Sequence, residues 1–144
     1  MDNVTKEIRS KTMSAIKSKR TKLEDKISKK LWNHGYRFRR NDKSLYGNPD
    51  ISIKKYKVVI FIDSCFWHGC EYDCRIPKSN VDYWINKIER NKERDRQVTE
   101  YYKKKRWFIL RIWEHQIKKD IDGTIKSVIT HIEKAKKWSK QNVL

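Results

Sequence analysis

Apolar residues recur at the spacing of an amphipathic helix early in the chain. The pattern predicts a helix that begins at Thr21, because Thr21 and Glu24 form a capping box, and that ends before Gly35, a residue suited to a C-terminal cap. The apolar positions of this helix repeat every four residues, at Leu23, Ile27 and Leu31. This spacing places them on one face, which is expected to pack on a core.

Two later segments show the same helical period. A long helix is predicted from Val81 to about Lys104 with Asn80 as its N-cap, and a last helix is predicted over Thr124–Trp138. Their apolar stripes contain Val81, Trp84, Ile85 and Ile88 in the first case and Ile125, Val128, Ile129, Ile132 and Ala135 in the second. Both helices are expected to bury one face and to expose charged residues on the other.

Between the helices the period changes to that of strands. Tyr36–Arg40 alternates aromatic with basic residues, and Asp50–Ile53 and Lys57–Asp63 flank a polar turn as an antiparallel hairpin would. Lys57–Asp63 is apolar on both faces and is therefore predicted to be a central strand, and Trp107–Trp113, with Phe108, Ile109, Leu110 and Ile112, is predicted to be a second one. The order helix, three strands, helix, strand, helix predicts an α/β or α+β domain whose mixed central sheet is flanked by helices.

Composition adds a strong excess of positive charge to this picture. The 144 residues include 36 Lys and Arg against 18 Asp and Glu, a formal charge of +18, while 37% of residues are hydrophobic. A packed core with a basic surface is therefore expected, and such a surface suits a polyanionic partner. Residues 1–20 contain too few apolar positions for a core helix, so they are expected to form a basic arm on a single domain that spans residues 21–144.

The same sequence gives no sign of a membrane or secretory segment. The longest wholly apolar run, Val58–Ile62, is too short to cross a bilayer, and the N-terminus lacks a secretory apolar region. An intracellular, cytoplasmic protein without membrane contact is expected.

Three cysteines, Cys65, Cys70 and Cys74, follow closely after a predicted strand. An odd number of thiols in a chain expected to be intracellular disfavours disulfides and favours a metal. His115 lies just past the strand Trp107–Trp113 and becomes a fourth ligand if adjacent strands bring their ends together. Three thiolates and one imidazole would make a closed, structural zinc site, whereas three free buried cysteines are the alternative.

Three acidic residues can meet at one edge of the predicted sheet. Asp50 opens one hairpin strand, Asp63 ends the other, and Glu24 is offered by the first helix. Converging carboxylates suit Mg²⁺, which polarises a scissile phosphate and lowers the pKa of a bound water. His68 lies near Asp63 in sequence and can ligate a metal or act as a general base. In the alternative interpretation the three acids are a turn residue, a strand end and a helix cap.

Phe66 and Trp67 place two large aromatic side chains in succession within a polar segment. Core packing is one explanation for them. In a basic protein the other explanation is a wedge that inserts between stacked bases. Trp84 can join these two residues or pack beneath its own helix.

Taken together, these residues resemble the very-short-patch-repair (Vsr) family of DNA mismatch endonucleases. The resemblance extends over most of the chain, and its most specific part is Cys65-Phe66-Trp67-His68 followed by Asn91-Lys92-Glu93-Arg94-Asp95. The other matching segments are residues 9–16, Asn48-Pro49-Asp50, residues 61–64, Gly69-Cys70, Tyr83-Trp84 and Trp113-Glu114-His115.

The resemblance implies roles for individual residues. Asp50 corresponds to the family's metal-binding aspartate, Glu24 to its helix-borne active-site acid and His68 to its catalytic histidine. The intercalating aromatic residues are matched by Phe66, Trp67 and Trp84, and further DNA contacts are implied for Lys11, Met13 and Asn91. The structural zinc ligands correspond to Cys65, Cys70, Cys74 and His115.

Two positions depart from the family pattern. Asp63 stands where the family can have histidine, and Ile62 stands where it can have threonine, so Ile62 offers a magnesium ion only its backbone carbonyl. Asp63 then either serves as a second metal carboxylate beside Asp50 or orients the attacking water.

The function implied by the resemblance is a magnesium-dependent nick 5′ to the thymine of a T:G mismatch, the lesion left by deamination of 5-methylcytosine. The implied fold is restriction-endonuclease-like with a structural zinc. We expect a monomer that acts on double-stranded DNA, in functional association with a cytosine-5 methyltransferase and repair proteins. The alternatives are a zinc-stabilised DNA-binding module with structural acids and a related restriction endonuclease that cuts intact duplex.

Overall fold

The computed structural model describes residues 22–64 and 80–141 of the chain. Within these ranges a single mixed sheet contains the strands β1 (Arg39–Arg40), β2 (Ile51–Ile53), β3 (Val58–Asp63) and β4 (Phe108–Trp113), in that spatial order. β1, β2 and β3 pair in antiparallel fashion, and β4 runs parallel to β3. The predicted hairpin is confirmed, with a short 3-10 turn at Lys54–Tyr56 between its strands.

Helices cover both faces of this sheet. Helix α1 includes residues 22–33, α2 is Val81–Lys104, α3 is Glu114–Lys119 and α4 is Ile121–Gln141. α2 connects β3 to β4, as a parallel pair requires. The mixed sheet flanked by helices confirms the predicted α+β class, and α2 has the predicted bounds.

The end of α1 shows how one residue fixes a boundary. Gly35 adopts a positive φ of 92°, which an L side chain rarely accepts. Its N–H donates to the Trp32 carbonyl (2.9 Å), and the Tyr36 N–H donates to the Leu31 carbonyl (3.1 Å). These two bonds form a Schellman motif, so the predicted C-terminal cap is confirmed.

Alternation along β3 divides the core between the two faces of the sheet. Val58, Ile60 and Ile62 belong to a cluster that also contains apolar residues of α1 and α4. Val59 and Phe61 pack instead with Val98 and Tyr102 of α2. All six residues of β3 are buried, which confirms that it is central.

Several predicted elements differ from those observed. Tyr36–Arg40 contributes only two strand residues, because Tyr36 and Phe38 pack against the core before β1 begins. β4 was predicted to be central, but in the described parts of the chain it pairs only with β3 and lies at the sheet edge, with five of its six residues half-buried. α3 was not predicted, and α4 begins at Ile121 rather than Thr124.

The start of α2 also differs in detail. Asn80 occupies the N-cap position but has a left-handed backbone (φ 56°), and its side chain makes no capping hydrogen bond. The N-cap mechanism predicted for Asn80 is therefore wrong, although the position of the helix start is right. Among the described helices, none contains a stretch long and apolar enough to cross a membrane.

Candidate active site

A cavity of about 480 Å³ lies where β2 begins and β3 ends. The loop over residues 41–50 forms one wall, and the middle of α2 and the β4 residue Arg111 form the other. Its charged residues are Lys43, Asp50, Asp63, Arg94, Asp95 and Arg111. The three acids and three bases make this a locally balanced site in a chain with a net charge of +18.

Asp50 is held at the entrance to β2 by the neighbouring strand. The Ile62 backbone N–H donates to Oδ2 of Asp50 at 2.6 Å. The Asn41 N–H donates to the Asp50 carbonyl (3.1 Å), which anchors the main chain at the same residue. The antiparallel register that pairs Ile51 with Ile60 brings Asp50 alongside the end of β3. The carboxylate orientation is therefore set by backbone contacts.

Asp63 ends β3 in the same cavity, as predicted, and is only 4% exposed. Its Oδ1 accepts a hydrogen bond from Nη1 of Arg111 at 2.8 Å. A buried carboxylate needs such a partner because desolvation of an isolated charge is costly. One of its two oxygens is thus occupied by a guanidinium.

Glu24 does not join the two aspartates in this cavity. It is buried on α1, with its Oε2 3.9 Å from Nη2 of Arg40, and it is absent from the residues that line the cavity. In the described ranges, no three His, Cys, Asp or Glu side chains are arranged to hold a metal ion. The predicted convergence of three carboxylates is therefore reduced to Asp50 and Asp63.

Two carboxylates still fit magnesium. Mg²⁺ is commonly bound through one or two protein carboxylates, with water and substrate phosphate oxygens completing its octahedral shell. Asp50 supplies a fixed carboxylate, and the cavity has room for water molecules. Each carboxylate accepts a hydrogen bond, Asp50 from a backbone N–H and Asp63 from the Arg111 guanidinium, which also balances the negative charge of Asp63.

Three other predicted site residues have described positions. Asn91 of α2 lines the cavity. Trp84 is 1% exposed, in keeping with the packing alternative. His115 follows β4, with its ring stacked on Trp113 at 6.4 Å between centroids. Because Asp63 pairs with Trp113 in the parallel register, β3 and the strand that precedes His115 end side by side. The remaining predicted residues lie outside the described ranges: Lys11, Met13, Cys65, Phe66, Trp67, His68, Cys70 and Cys74.

Sequence analysis missed Arg111, which lines the cavity and binds Asp63, Asp95 and Thr99. The sequence feature that could have identified it is its position as the one charged residue in the strand FILRIW. Asp95 was recognised only as part of a motif. Its contact with Arg111, at 3.8 Å between Oδ1 and Nη1, required the placement of α2 against β4.

Comparison with known proteins decides the family. A family model described as "DNA mismatch endonuclease Vsr" matches residues 1–74, just over half of the chain. This chain belongs to the Vsr family. The resemblance inferred from its motifs is thereby confirmed.

Curated relatives extend the Vsr match beyond residue 74. The type II nicking enzyme V.HpaIIP of Haemophilus parainfluenzae is 47% identical over 123 residues, which cover 83% of this chain and 87% of that enzyme. The type II nicking enzyme V.NmeDIP of Neisseria meningitidis serogroup C is 45% identical, over 83% and 82% of the two chains. The DNA mismatch endonuclease Vsr of Escherichia coli K12 is 37% identical, over 76% and 70%. The chain is therefore a DNA endonuclease of the mismatch or nicking kind.

Proposed function

We propose that this Vsr-family enzyme nicks one strand of a duplex 5′ to the thymine of a T:G mismatch. The observation that carries the chemistry is the fixed Asp50 carboxylate in a cavity shared with Asp63. The names of the relatives, a mismatch endonuclease and type II nicking enzymes, support a single-strand cut. The substrate class would be DNA in which deamination of 5-methylcytosine has left a T opposite G.

Asp50 would hold a magnesium ion, together with the Ile62 carbonyl and oxygens of water and DNA. When bound, this ion would supply Lewis-acid activation of the phosphate and of water. Asp50 is suited to the task because the Ile62 N–H fixes its carboxylate before any ligand arrives. Pre-oriented groups contribute to catalysis by avoiding reorganisation in the transition state.

Other side chains would supply the remaining catalytic roles. His68 would accept the proton of the attacking water, and Glu24 would support the site from α1. Lys43 and Arg94 line the cavity and would attract the scissile strand through its phosphates. Asp63 would act while paired with Arg111.

A structural zinc ion would be held by Cys65, Cys70, Cys74 and His115. Its support is the parallel pairing of β3 with β4: the strand that precedes the cysteines in the sequence and the strand that precedes His115 end side by side. Four N and S ligands leave no open position, so the metal would stabilise the fold and take no part in hydrolysis.

DNA recognition would involve the N-terminal arm through Lys11 and Met13, α2 through Asn91, and the aromatic residues Phe66, Trp67 and Trp84. A T:G wobble is easier to unstack than a Watson–Crick pair, so a wedge costs less free energy at the mismatch. Trp84 would have to leave its buried position to take part. We propose that the enzyme acts as a monomer, linked in function to a cytosine-5 methyltransferase and to repair proteins.

A nicking assay tests this function. Labelled duplexes that differ only in one T:G, T:A or C:G pair are incubated with Mg²⁺ or with EDTA. Asp50→Asn is expected to lower the T:G nicking rate by about 10²-fold or more while retaining mismatch binding, because it removes a metal ligand and no DNA contact. Asp122→Asn is the matched control, since Asp122 is an exposed acid paired with Lys30 and does not line the cavity.

The outcomes separate the alternatives. Equal cutting of the T:A duplex would favour a restriction endonuclease of related fold. Binding without cutting of any duplex would favour a DNA-binding module. A wild-type rate in Asp50→Asn would remove Asp50 from the mechanism.

A further inference from the structure

Arg111 is a single charged residue in an otherwise apolar strand. It lies opposite Phe61 in the parallel register of β3 and β4, on the sheet face that packs against α2. Its guanidinium carbon lies 4.6 Å above the Phe61 ring centroid, and the side chain is only 20% exposed. The flat face of the guanidinium therefore stacks on an aromatic ring, and its N–H groups are directed toward polar atoms.

Every nitrogen of this guanidinium has an acceptor. Nε donates to Oγ1 of Thr99 at 2.8 Å, and Nη2 donates to the Asp95 carbonyl at 3.1 Å. Nη1 donates to Oδ1 of Asp63 at 2.8 Å and lies 3.8 Å from Oδ1 of Asp95. One planar side chain thus joins the end of β3 to two successive turns of α2.

The charge of Arg111 matters as much as its geometry. Without it, the carboxylates of Asp50, Asp63 and Asp95 would share one cavity with Lys43 and Arg94 as the other charged lining residues. Neighbouring like charges disfavour simultaneous ionisation and increase the attraction for any cation. Arginine suits the position because it remains protonated and offers several fixed donors.

We propose that Arg111 is a positioning residue of the nuclease site, which holds Asp63 in an ion pair and leaves Asp50 as the carboxylate that binds the divalent cation. The inference rests on the proposed metal-dependent function. It argues against Asp63 as a second metal carboxylate, because Arg111 already binds its Oδ1 and balances its negative charge. Asp63 and Arg111 then behave as one electrically neutral unit.

The test compares Arg111→Met, the double variant Asp63→Asn/Arg111→Met, and Arg96→Met as control. Arg96 is an exposed arginine of α2 whose partners are Glu93 and Glu100, so its replacement removes the same charge away from the cavity. Two half-saturating concentrations are measured: Mg²⁺ in T:G nicking, and Ca²⁺ in binding of a fluorescent T:G duplex followed by anisotropy. Thermal unfolding reports on folding separately.

Arg111→Met is expected to lower both half-saturating concentrations by about tenfold, because one unit of positive charge leaves the cavity and Asp63 becomes available as a ligand. The double variant is expected to return to within about threefold of wild type, since it removes a neutral pair. Arg96→Met is expected to match the wild type. A purely structural role for Arg111 would change the melting temperature without moving the cation dependence.

Two results would overturn the inference. A half-saturating cation concentration raised more than about tenfold in the double variant would identify Asp63 as a cation ligand. An unchanged half-saturating concentration in a folded Arg111→Met variant would show that Arg111 does not influence cation binding. If Arg111→Met does not fold, the charge-balanced double variant alone decides between these roles. Failure of the proposed function looks different, since the wild type itself would then nick T:G duplex in EDTA or fail to nick it in Mg²⁺.

Discussion

Individual residues of the loop over positions 41–50 shape the cavity wall. Asp42 is buried there, and its Oδ1 accepts hydrogen bonds from the N–H and hydroxyl of Ser44, while Lys54 lies 3.5 Å from Oδ2. The Ser44 hydroxyl hydrogen bond is the main cause that holds the pKa of Asp42 below its usual value. The ionised Asp42 thus ties the loop that precedes Asp50 to the turn between β2 and β3.

Gly47 in this loop meets both a backbone and a steric limit. Its φ is 79°, and a Cβ at this position would lie 2.8 Å from Cγ1 of Val98 on α2. We expect Gly47→Ala to lower the free energy of unfolding by about 2–4 kcal/mol, from left-handed backbone strain plus overpacking. Because Gly47 lines the cavity, T:G nicking should also slow under native conditions. Urea unfolding followed by tryptophan fluorescence, alongside the nicking rate, measures both effects.

Gly35→Ala is the matched control for this prediction. Gly35 also has a positive φ, of 92°, but nothing lies within 4 Å of the Cβ position. Only the backbone cost of about 1–2 kcal/mol is expected, with an unchanged nicking rate in the folded protein. Equal losses of stability in the two variants would show that the approach of Val98 does not restrict Gly47.

At the residue scale, the sequence predicts contacts that strand pairing enforces. Asp50 and Asp63 share a cavity because an antiparallel hairpin with a short turn aligns the start of one strand with the end of the other. Glu24 was expected to join them although no strand register links α1 to that end of the sheet, and it is not among the residues that line the cavity. Arg111 was overlooked because its partners come from β3 and α2, distant segments that only tertiary packing brings together.

At the element scale, α2 combines packing with the formation of the site. Its 24 residues span about 36 Å. Val98 and Tyr102 pack on the sheet in its C-terminal half, while Asn91 and Asp95 line the cavity. The Tyr102 hydroxyl donates to the Tyr46 carbonyl at 2.5 Å, and burial is the main cause that raises the pKa of Tyr102 to about 12. The same helix therefore packs on the sheet, anchors the loop over residues 41–50 and contributes residues to the cavity.

Long periodic elements were predictable, and short or edge elements were not. The bounds of α2 were predictable because its apolar and charged residues recur with a helical period over several turns. α3 has six residues, too few for a period to emerge. The strand β4 is as apolar as β3, but composition does not reveal the number of neighbours a strand has, and in the described residues β4 pairs with β3 alone.

The parallel ends of β3 and β4 give a test of the proposed zinc site. Wild-type protein is expected to contain about one zinc per chain by elemental analysis. His115→Ala should lower both the zinc content and the melting temperature, because one of four ligands is lost. His34→Ala is the control, since His34 is an exposed residue at the end of α1. Zinc-free wild-type protein that still nicks T:G duplex would contradict the proposal.

At the scale of the whole molecule, the net positive charge of the chain is not concentrated in the cavity. The chain carries a net charge of +18, yet the cavity lining contains three acids and three bases. A general positive field attracts any DNA through its phosphates and carries no sequence information. The proposed selection of a T:G mismatch would therefore have to come from short-range contacts and from the cost of deforming the DNA step.

This separation predicts the salt dependence of binding. Kd is measured for T:G and T:A duplexes over a series of KCl concentrations, in EDTA to prevent cleavage. Plots of log Kd against log salt are expected to be parallel, because the same Lys and Arg side chains displace the same counterions from both duplexes. The vertical offset between the lines then measures mismatch selection, free of the general attraction.

Trp67→Ala makes the prediction specific to the proposed wedge. It is expected to shrink the offset by about 1–3 kcal/mol, the contribution of one stacking contact, without changing either slope. Neutralising Lys11 should instead make both slopes shallower and leave the offset unchanged, since a phosphate contact is common to the two duplexes. Thermal melting establishes that each variant is folded. A difference between the T:G and T:A slopes that corresponds to one released ion or more would contradict this prediction. It would mean that additional phosphate contacts form only at the mismatch, so that selection depends on electrostatic attraction as well as on stacking.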